Sequence, residues 1–422
     1  MIQKKFLGTL KEIYYEKLDN GLDVYIIPNS KQKRYCIELV VKYGSDIKTF
    51  KPINSNKYLT IPLGVAHFLE HKMFDMEKGD PFDFFSLYAT FVNASTSFDF
   101  TKYFIEGKKS IYKNLDYLIT MVFSPYFDDE KINSEKSIIA EEIKMYEDQI
   151  EWQLDLKARE GLFKNSFLGN IAGSTDSIME INSNILKTVY DTFYQPSNMF
   201  LVVSGNVKCE KVIDVLKRNK ELYQHITNYP IKVKKDKEIK NVVFEYQEIK
   251  GLTNKPKLRY SYKFDLKDLG IKDKIKAKYY LNLLFTYLFG NGSLFSEKIV
   301  DEKLVTSFYD EYLNIDDIYT ISLFAESDYA DMFVDLVDKT FTNIQIEESD
   351  FLRIKKIWYS IMIRSIDNTT TISNSLVDDI LKYGKDFDNF YYVDILKYEE
   401  LISIIHKLDF SNKSLVLLFP KK

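Results

Sequence analysis

Cysteine is almost absent from this 422-residue chain, which has only Cys36 and Cys209. A disulfide framework is not expected, and neither cysteine has a C-x-x-C partner for metal or redox work. No run of 18 apolar residues occurs, so no membrane span is expected. The start, MIQKKFLGTLKEIYYEKLDNG, lacks the apolar core of a secretion signal. Neither sign of charge dominates: 58 basic against 62 acidic residues leave a net charge of -4. The isoelectric point is near 5.8. That balance gives no electrostatic footprint for nucleic acid. The expectation is a cytoplasmic protein with no nucleic-acid partner and no membrane span. Histidine is also scarce, with four in the chain.

What is present suits a soluble globular protein: 45% hydrophobic and 28% charged residues. The 31 Tyr and 31 Phe read as core packing. The length calls for two or more domains.

Residues 12–28 read as a hairpin about Asp19-Asn20-Gly21. RYCIELVVKYGS (34–45) is a third strand, and Thr60-Ile61-Pro62 is expected to open a helix. Residues 89–107 give two strands, KNLDYLITMVFSPYF a helix, and Asp128 to about Gly161 one long helix. FLVVSGNV (200–207) ends the first half as a strand. The charged stretch 219–241 is read as a linker. The second half then repeats the pattern. KLRYSYKFD (257–265), SFYDEYLN, YTISLFAES and KSLVLLF are strands, with helices at 272–289, 331–341 and 348–365. A repeat near 200 residues means duplicated domains, here 1–228 and 240–422. The fold class expected is α+β, two homologous lobes, each a mostly antiparallel sheet packed against helices.

Two of the four histidines fall in AHFLEHKMFD (66–75). On a helix His67, Glu70 and His71 share one face. Two imidazoles at i and i+4 can reach one zinc ion, and a glutamate beside them can hold a water as general base. A catalytic zinc needs a third ligand. His225 and His406 qualify by type, though neither stands in a patterned site. The helix SEKSIIAEEIKMYED (134–148) offers Glu135 and Glu142, two turns apart on one face, with Ile138 and Ile139 between them on the packed side. Carboxylates on a buried face need a partner, and a metal would serve. Paired surface carboxylates are the alternative.

With LDNGLDVYIIP, VKYGS, GVAHFLEHKMF, VNASTSFDFTKYF, SIIAEEIKMYED and FYQPSNMFLVVSGNV, the chain resembles the pitrilysin/insulinase metallopeptidases, the inverzincins. The resemblance runs from about Leu18 to Val207 and is weaker beyond. It implies that His67, His71 and Glu142 bind one zinc ion and that Glu70 is the general base. Glu135 would orient a ligand. Asn93 and Ala94 would lie on an edge strand that takes an extended peptide substrate. The implied reaction is hydrolysis of short or unfolded peptides, with maturation of a ribosomally made peptide as one possible role.

Self-sufficient members of that family carry an arginine and a tyrosine in the second half. Here GNGSLFSEKIVDEKLVTSFYDEY (290–312) contains Tyr309 but no arginine, and LFTYL (284–288) stands about where HFLEH would repeat. The expectation is therefore a catalytic subunit whose sister subunit, in a heterodimer, supplies the missing pair. A homodimer or monomer is the rival. A non-catalytic assembly subunit, or a module that only binds peptides, is the alternative outside enzymes.

Overall fold

A computed structural model describes residues 2–5, 12–53, 55–165, 169–224, 228–384 and 387–421. The chain forms two compact units. One gathers Met1–Lys144, Asn170–Lys235 and Met362–Asp388, the other Met145–Gly169, Asp236–Ile361 and Asn389–Lys422. The expected domains were contiguous, whereas these units exchange two helical segments. The passage from one to the other at Lys235–Asp236 falls inside the stretch read as a linker.

The strands of the first unit are β1 (Ile2–Lys5), β2 (Glu12–Lys17), β3 (Asp23–Pro28), β4 (Tyr35–Val41), β5 (Thr49–Phe50), β6 (Leu59–Thr60), β7 (Phe91–Thr96), β8 (Thr101–Gly107) and β9 (Met199–Gly205). Its main sheet runs β1-β2-β3-β9-β4-β8-β7, and β5 pairs with β6 apart from it. In the second unit β10 (Tyr246–Gly251), β11 (Lys257–Asp265), β12 (Ser307–Ile315), β13 (Ile318–Glu326) and β14 (Lys413–Pro420) run in the order β10-β14-β11-β13-β12. The last five strands of the first sheet, β3-β9-β4-β8-β7, match this order. In each set the first pair is parallel and the other three are antiparallel. The structure thus shows the expected repeat. The central strands β4 and β9 are buried at every residue, as strands covered on both faces must be.

The helices are α1 (Val65–Lys72), α2 (Pro81–Ser86), α3 (Ile111–Phe123), α4 (Asp129–Glu147), α5 (Ile150–Leu162), α6 (Thr175–Met179), α7 (Ser183–Phe193), α8 (Cys209–Arg218), α9 (Lys220–Gln224), α10 (Lys274–Phe289), α11 (Leu294–Asp301), α12 (Ala330–Thr342), α13 (Glu348–Ser365), α14 (Thr369–Tyr383), α15 (Asn389–Asp394) and α16 (Tyr398–Ile405). The expected long helix from Asp128 to Gly161 is two helices, broken at Gln149, whose backbone is extended. This break lets α5 join the second unit. There Leu154 and Ala158 pack with Phe324, Val416 and Leu418 on one sheet face. In the first unit α14 does the same: Leu376, Val377 and Ile380 cover Tyr25, Val40 and Val202. Each sheet is therefore closed by a helix from the opposite half of the sequence. The other face of the first sheet carries the main core, including Leu39, Phe68, Leu69, Ile105, Ile139 and Leu201.

Candidate metal centre

Helix α1 begins at Val65, not at Pro62 as expected, because Leu59 and Thr60 are drawn into β6. Its start is Gly64, at φ 86°, where an added Cβ would collide with the Ala172 carbonyl. Only glycine takes that conformation without strain. Val65, Ala66, Phe68, Leu69 and Lys72 face the core. His67, Glu70 and His71 are left together on the opposite, half-buried side.

Helix α4 supplies the carboxylates. Ile132, Ile139, Ala140 and Ile143 anchor it. Ile138, expected on that packed side, is instead 58% exposed. Glu142 Oε1 lies 3.7 Å from His67 Nε2, and its Oε2 lies 3.6 Å from His71 Nε2. One donor atom from each of His67, His71 and Glu142 lies within 4.8 Å of the others. Ligands about 2.0–2.1 Å from a tetrahedral ion stand about 3.4 Å apart, so the set fits zinc with little movement. Both histidine contacts use Nε2, and the carboxylate is an oxygen donor that zinc accepts. His71 Nδ1 donates to Glu135 Oε1 at 2.8 Å. That bond fixes the tautomer and leaves the Nε2 lone pair free for an ion.

Electrostatics follow the same division. Burial drives the His67 pKa down to about 3, helped by the charge of His71, so the ring is neutral and ready to ligate. At His71 burial also pulls downward. Glu135, through its hydrogen bond and charge, with Glu70 and Glu142 pulls harder, and the net shift is upward. Burial raises the pKa of Glu70, against the hydrogen bond from Thr96. A base with a raised pKa is better matched to proton transfer near neutrality.

Thr96 was not among the residues singled out from sequence. It ends β7, and its Oγ1 donates to Glu70 Oε2 at 2.5 Å. No local pattern announces this, because the partners are 26 residues apart. Asn93 and Ala94 also lie on β7, which ends the sheet and among the described residues pairs only with β8. Ala94 N–H donates to Asn93 Oδ1 at 2.9 Å. His225 lies outside the described residues, and His406 caps the end of α16.

The second unit holds no counterpart of this cluster among the described residues. Leu284 and Leu288, of the LFTYL segment, are buried in α10. Tyr309, in β12, does meet an arginine, though one from β11 and not from residues 290–312. Arg259 Nη2 donates to the Tyr309 hydroxyl at 3.0 Å, and the guanidinium lies 4.8 Å from the ring centre. Arg259 is 2% exposed, and Asp155 accepts from its Nε at 2.7 Å. Glu311 stands 3.5 Å from its Nη1. Among the described residues Arg259 Nη1 makes no hydrogen bond, but Asp155, Tyr309 and Glu311 hold the guanidinium in place.

Fold and site together define a duplicated α+β scaffold with a His-x-x-Glu-His helix and a distant glutamate in one copy. Comparison with known proteins agrees. Residues 26–174 match the insulinase (peptidase family M16) profile, and residues 180–357 match the profile described as the M16 inactive domain. A Bacillus subtilis protein, YmfH, described as an uncharacterized zinc protease, is 35% identical over 306 residues, 71% of this chain and 72% of that one. An Arabidopsis thaliana protein named for the beta subunit of the mitochondrial-processing peptidase is 22% identical, over 87% of this chain and 70% of that one. An M16-like peptidase structure from Alicyclobacillus acidocaldarius superposes with a TM-score of 0.89 at 24% identity, covering 99% of this chain and 100% of that one. The chain belongs to the M16 (insulinase/pitrilysin) family. Among the described residues no helix is long and apolar enough to cross a membrane.

Proposed function

We propose that the chain is a zinc-dependent endopeptidase for short or unfolded peptides. One observation carries this: His67, His71 and Glu142 converge as three donors, with Glu70 on the same helix face. Bound zinc would polarise the scissile carbonyl and acidify the attacking water. The chain's own groups do the rest. The free edge of β7 pairs with an extended peptide, which displaces the Asn93 side chain from Ala94 N–H. Thr96 holds Glu70 Oε2, so Oε1 takes the proton of the water and passes it to the departing amine. Glu135 keeps His71 in the ligating tautomer.

Cleavage of a mixed peptide library by the zinc-loaded chain together with its sister subunit, lost in Glu70→Gln with zinc retained, is the test. Equal cleavage by the variant would refute the role of Glu70. The match to an inactive-domain profile supports a non-catalytic reading for residues 180–357, which exclude the His-x-x-Glu-His helix and Glu142. We further propose that a homologous sister subunit supplies an arginine and a tyrosine, because Arg259 is already engaged. Peptide maturation is proposed as its role. Co-purification showing only self-association with full activity would sink the heterodimer. A cytoplasmic location is proposed on the low cysteine content alone, since both cysteines are free.

A further inference from the structure

The face of the first sheet turned away from the candidate metal centre is incompletely covered. Helix α14 packs mainly over β9 and β4 and reaches β8 at its margin, where Lys102 meets Asn374. Alternation along β7 sends Val92, Ala94 and Thr96 to the metal side and Phe91, Asn93 and Ser95 to the open side. Cross-strand register then sets Phe104 beside Asn93, Lys102 beside Ser95 and Glu106 beside Phe91. One strand further in, Glu38 pairs with Phe104. Glu38, Asn93, Ser95, Lys102, Phe104 and Glu106 line a cavity of about 260 Å³ between the edge strand and α14, and Phe91 stands outside it.

Its charges do not balance. Lys102 is the cationic group lining the cavity, and it is spent: Nζ donates to Glu38 Oε1 and to Asn374 Oδ1, each at 2.7 Å. Glu38 is 1% exposed, and among the described residues its Oε2 lacks a hydrogen bond of good geometry. Half-buried Glu106 has no side-chain hydrogen bond or ion pair among the described residues. Phe91, 56% exposed, and Phe104 form an aromatic shelf with ring centres 6.0 Å apart, leading inward to the carboxylates.

We propose that this cavity receives a lysine or arginine side chain of the bound peptide, with Glu106 as the residue that selects it. The inference rests on the edge-strand reading above. A peptide strand added beside β7 sends alternate side chains to this face, opposite Phe91, Asn93 and Ser95. Glu106 stands one strand beyond β7, about 10 Å from the added strand, a span that an extended lysine or arginine side chain and the glutamate side chain cover together. A lysine or arginine stem can lie along the aromatic shelf and bring its charge to Glu106, whereas a short side chain stops over β7. The apolar stem and the cationic head each find a matching surface.

The test uses binding, so that it does not depend on turnover. Fluorescent eight-residue peptides, each with lysine, norleucine or glutamate at one scanned position, are titrated against the full-length Glu70→Gln chain and read by anisotropy. At one position lysine should bind about fivefold tighter than norleucine, the upper range for a partly exposed ion pair. Adding Glu106→Gln should bring lysine within twofold of norleucine and leave norleucine unchanged. Glu106→Lys should turn the preference toward glutamate. Peptides that bind with no position favouring lysine would overturn this proposal alone and spare the edge-strand reading. So would a preference that survives Glu106→Gln, or a variant that weakens all peptides alike. No peptide binding at all would overturn both.

Discussion

The two units share an order of five strands, and one helix shows their difference most clearly. After β4 comes α1, eight residues long, with three polar groups on its outer face. After β11 comes α10, sixteen residues long, with Tyr280, Leu281, Leu284, Phe285 and Leu288 buried along it. The sheet and its covering helix are kept in both. The lesson is that the scaffold is indifferent to the chemistry. A few polar side chains, held against α4 and β7 in the first unit, make one copy a candidate active site. In the second unit aromatic packing takes that place, with Phe285 in ring contact with Phe264, Tyr312, Tyr319 and Phe341.

If this division holds, substitutions in the two units should fail in different ways. The largest effect belongs to Glu70→Gln, which should lower kcat for peptide cleavage by about 10²–10⁴-fold while zinc content and Tm stay near wild type. A steady-state assay beside metal analysis checks it. Next is Phe285→Ala, fully buried in α10. It should cost about 3–5 kcal/mol in chemical denaturation and leave the zinc content of the folded protein unchanged. A loss of zinc there with stability intact would break the comparison. Smaller is Glu135→Ala, which removes the acceptor for His71 Nδ1 and should weaken zinc affinity about 10–100-fold in a competition titration.

The smallest effect is a pH dependence in the second unit. Lys267 and Lys274 hold the Asp317 carboxyl down at about 2, against an ordinary value of 3.8. A depressed carboxylate stabilises the fold above its unfolded pKa. That contribution is complete above about pH 4 and is lost as pH falls toward 2. The lysines are largely exposed, so solvent screening leaves on the order of 0.5 kcal/mol. Asp317→Asn should be less stable by that amount at pH 7 and converge with wild type near pH 2, read by urea melts.

Much of this was legible in the sequence, for physical reasons that differ from element to element. Strand β11 falls on the residues expected, 257–265, because Leu258, Tyr260, Tyr262 and Phe264 alternate with polar residues, the two-residue period of a strand. His67, Glu70 and His71 were legible because helical spacing alone puts them on one face. Helix α14 was left unassigned. It opens TTTISNS, poor helix formers, and owes its existence to packing over β4 and β9. The break between α4 and α5 carries neither glycine nor proline, so one helix was the natural reading. Thr96 on Glu70 and Arg259 on Tyr309 are contacts across sheets and turns, which spacing along the chain does not reveal.

The central claim is that His67, His71 and Glu142 form a zinc centre confined to the first unit. Zinc stoichiometry by mass spectrometry of the purified chain tests it most directly, with Glu142→Ala and Glu70→Gln alongside. The account predicts one zinc per chain in wild type and in Glu70→Gln, and close to none in Glu142→Ala. Wild-type protein that takes up no zinc, or a Glu142→Ala chain that keeps it at full occupancy and affinity, would contradict the account.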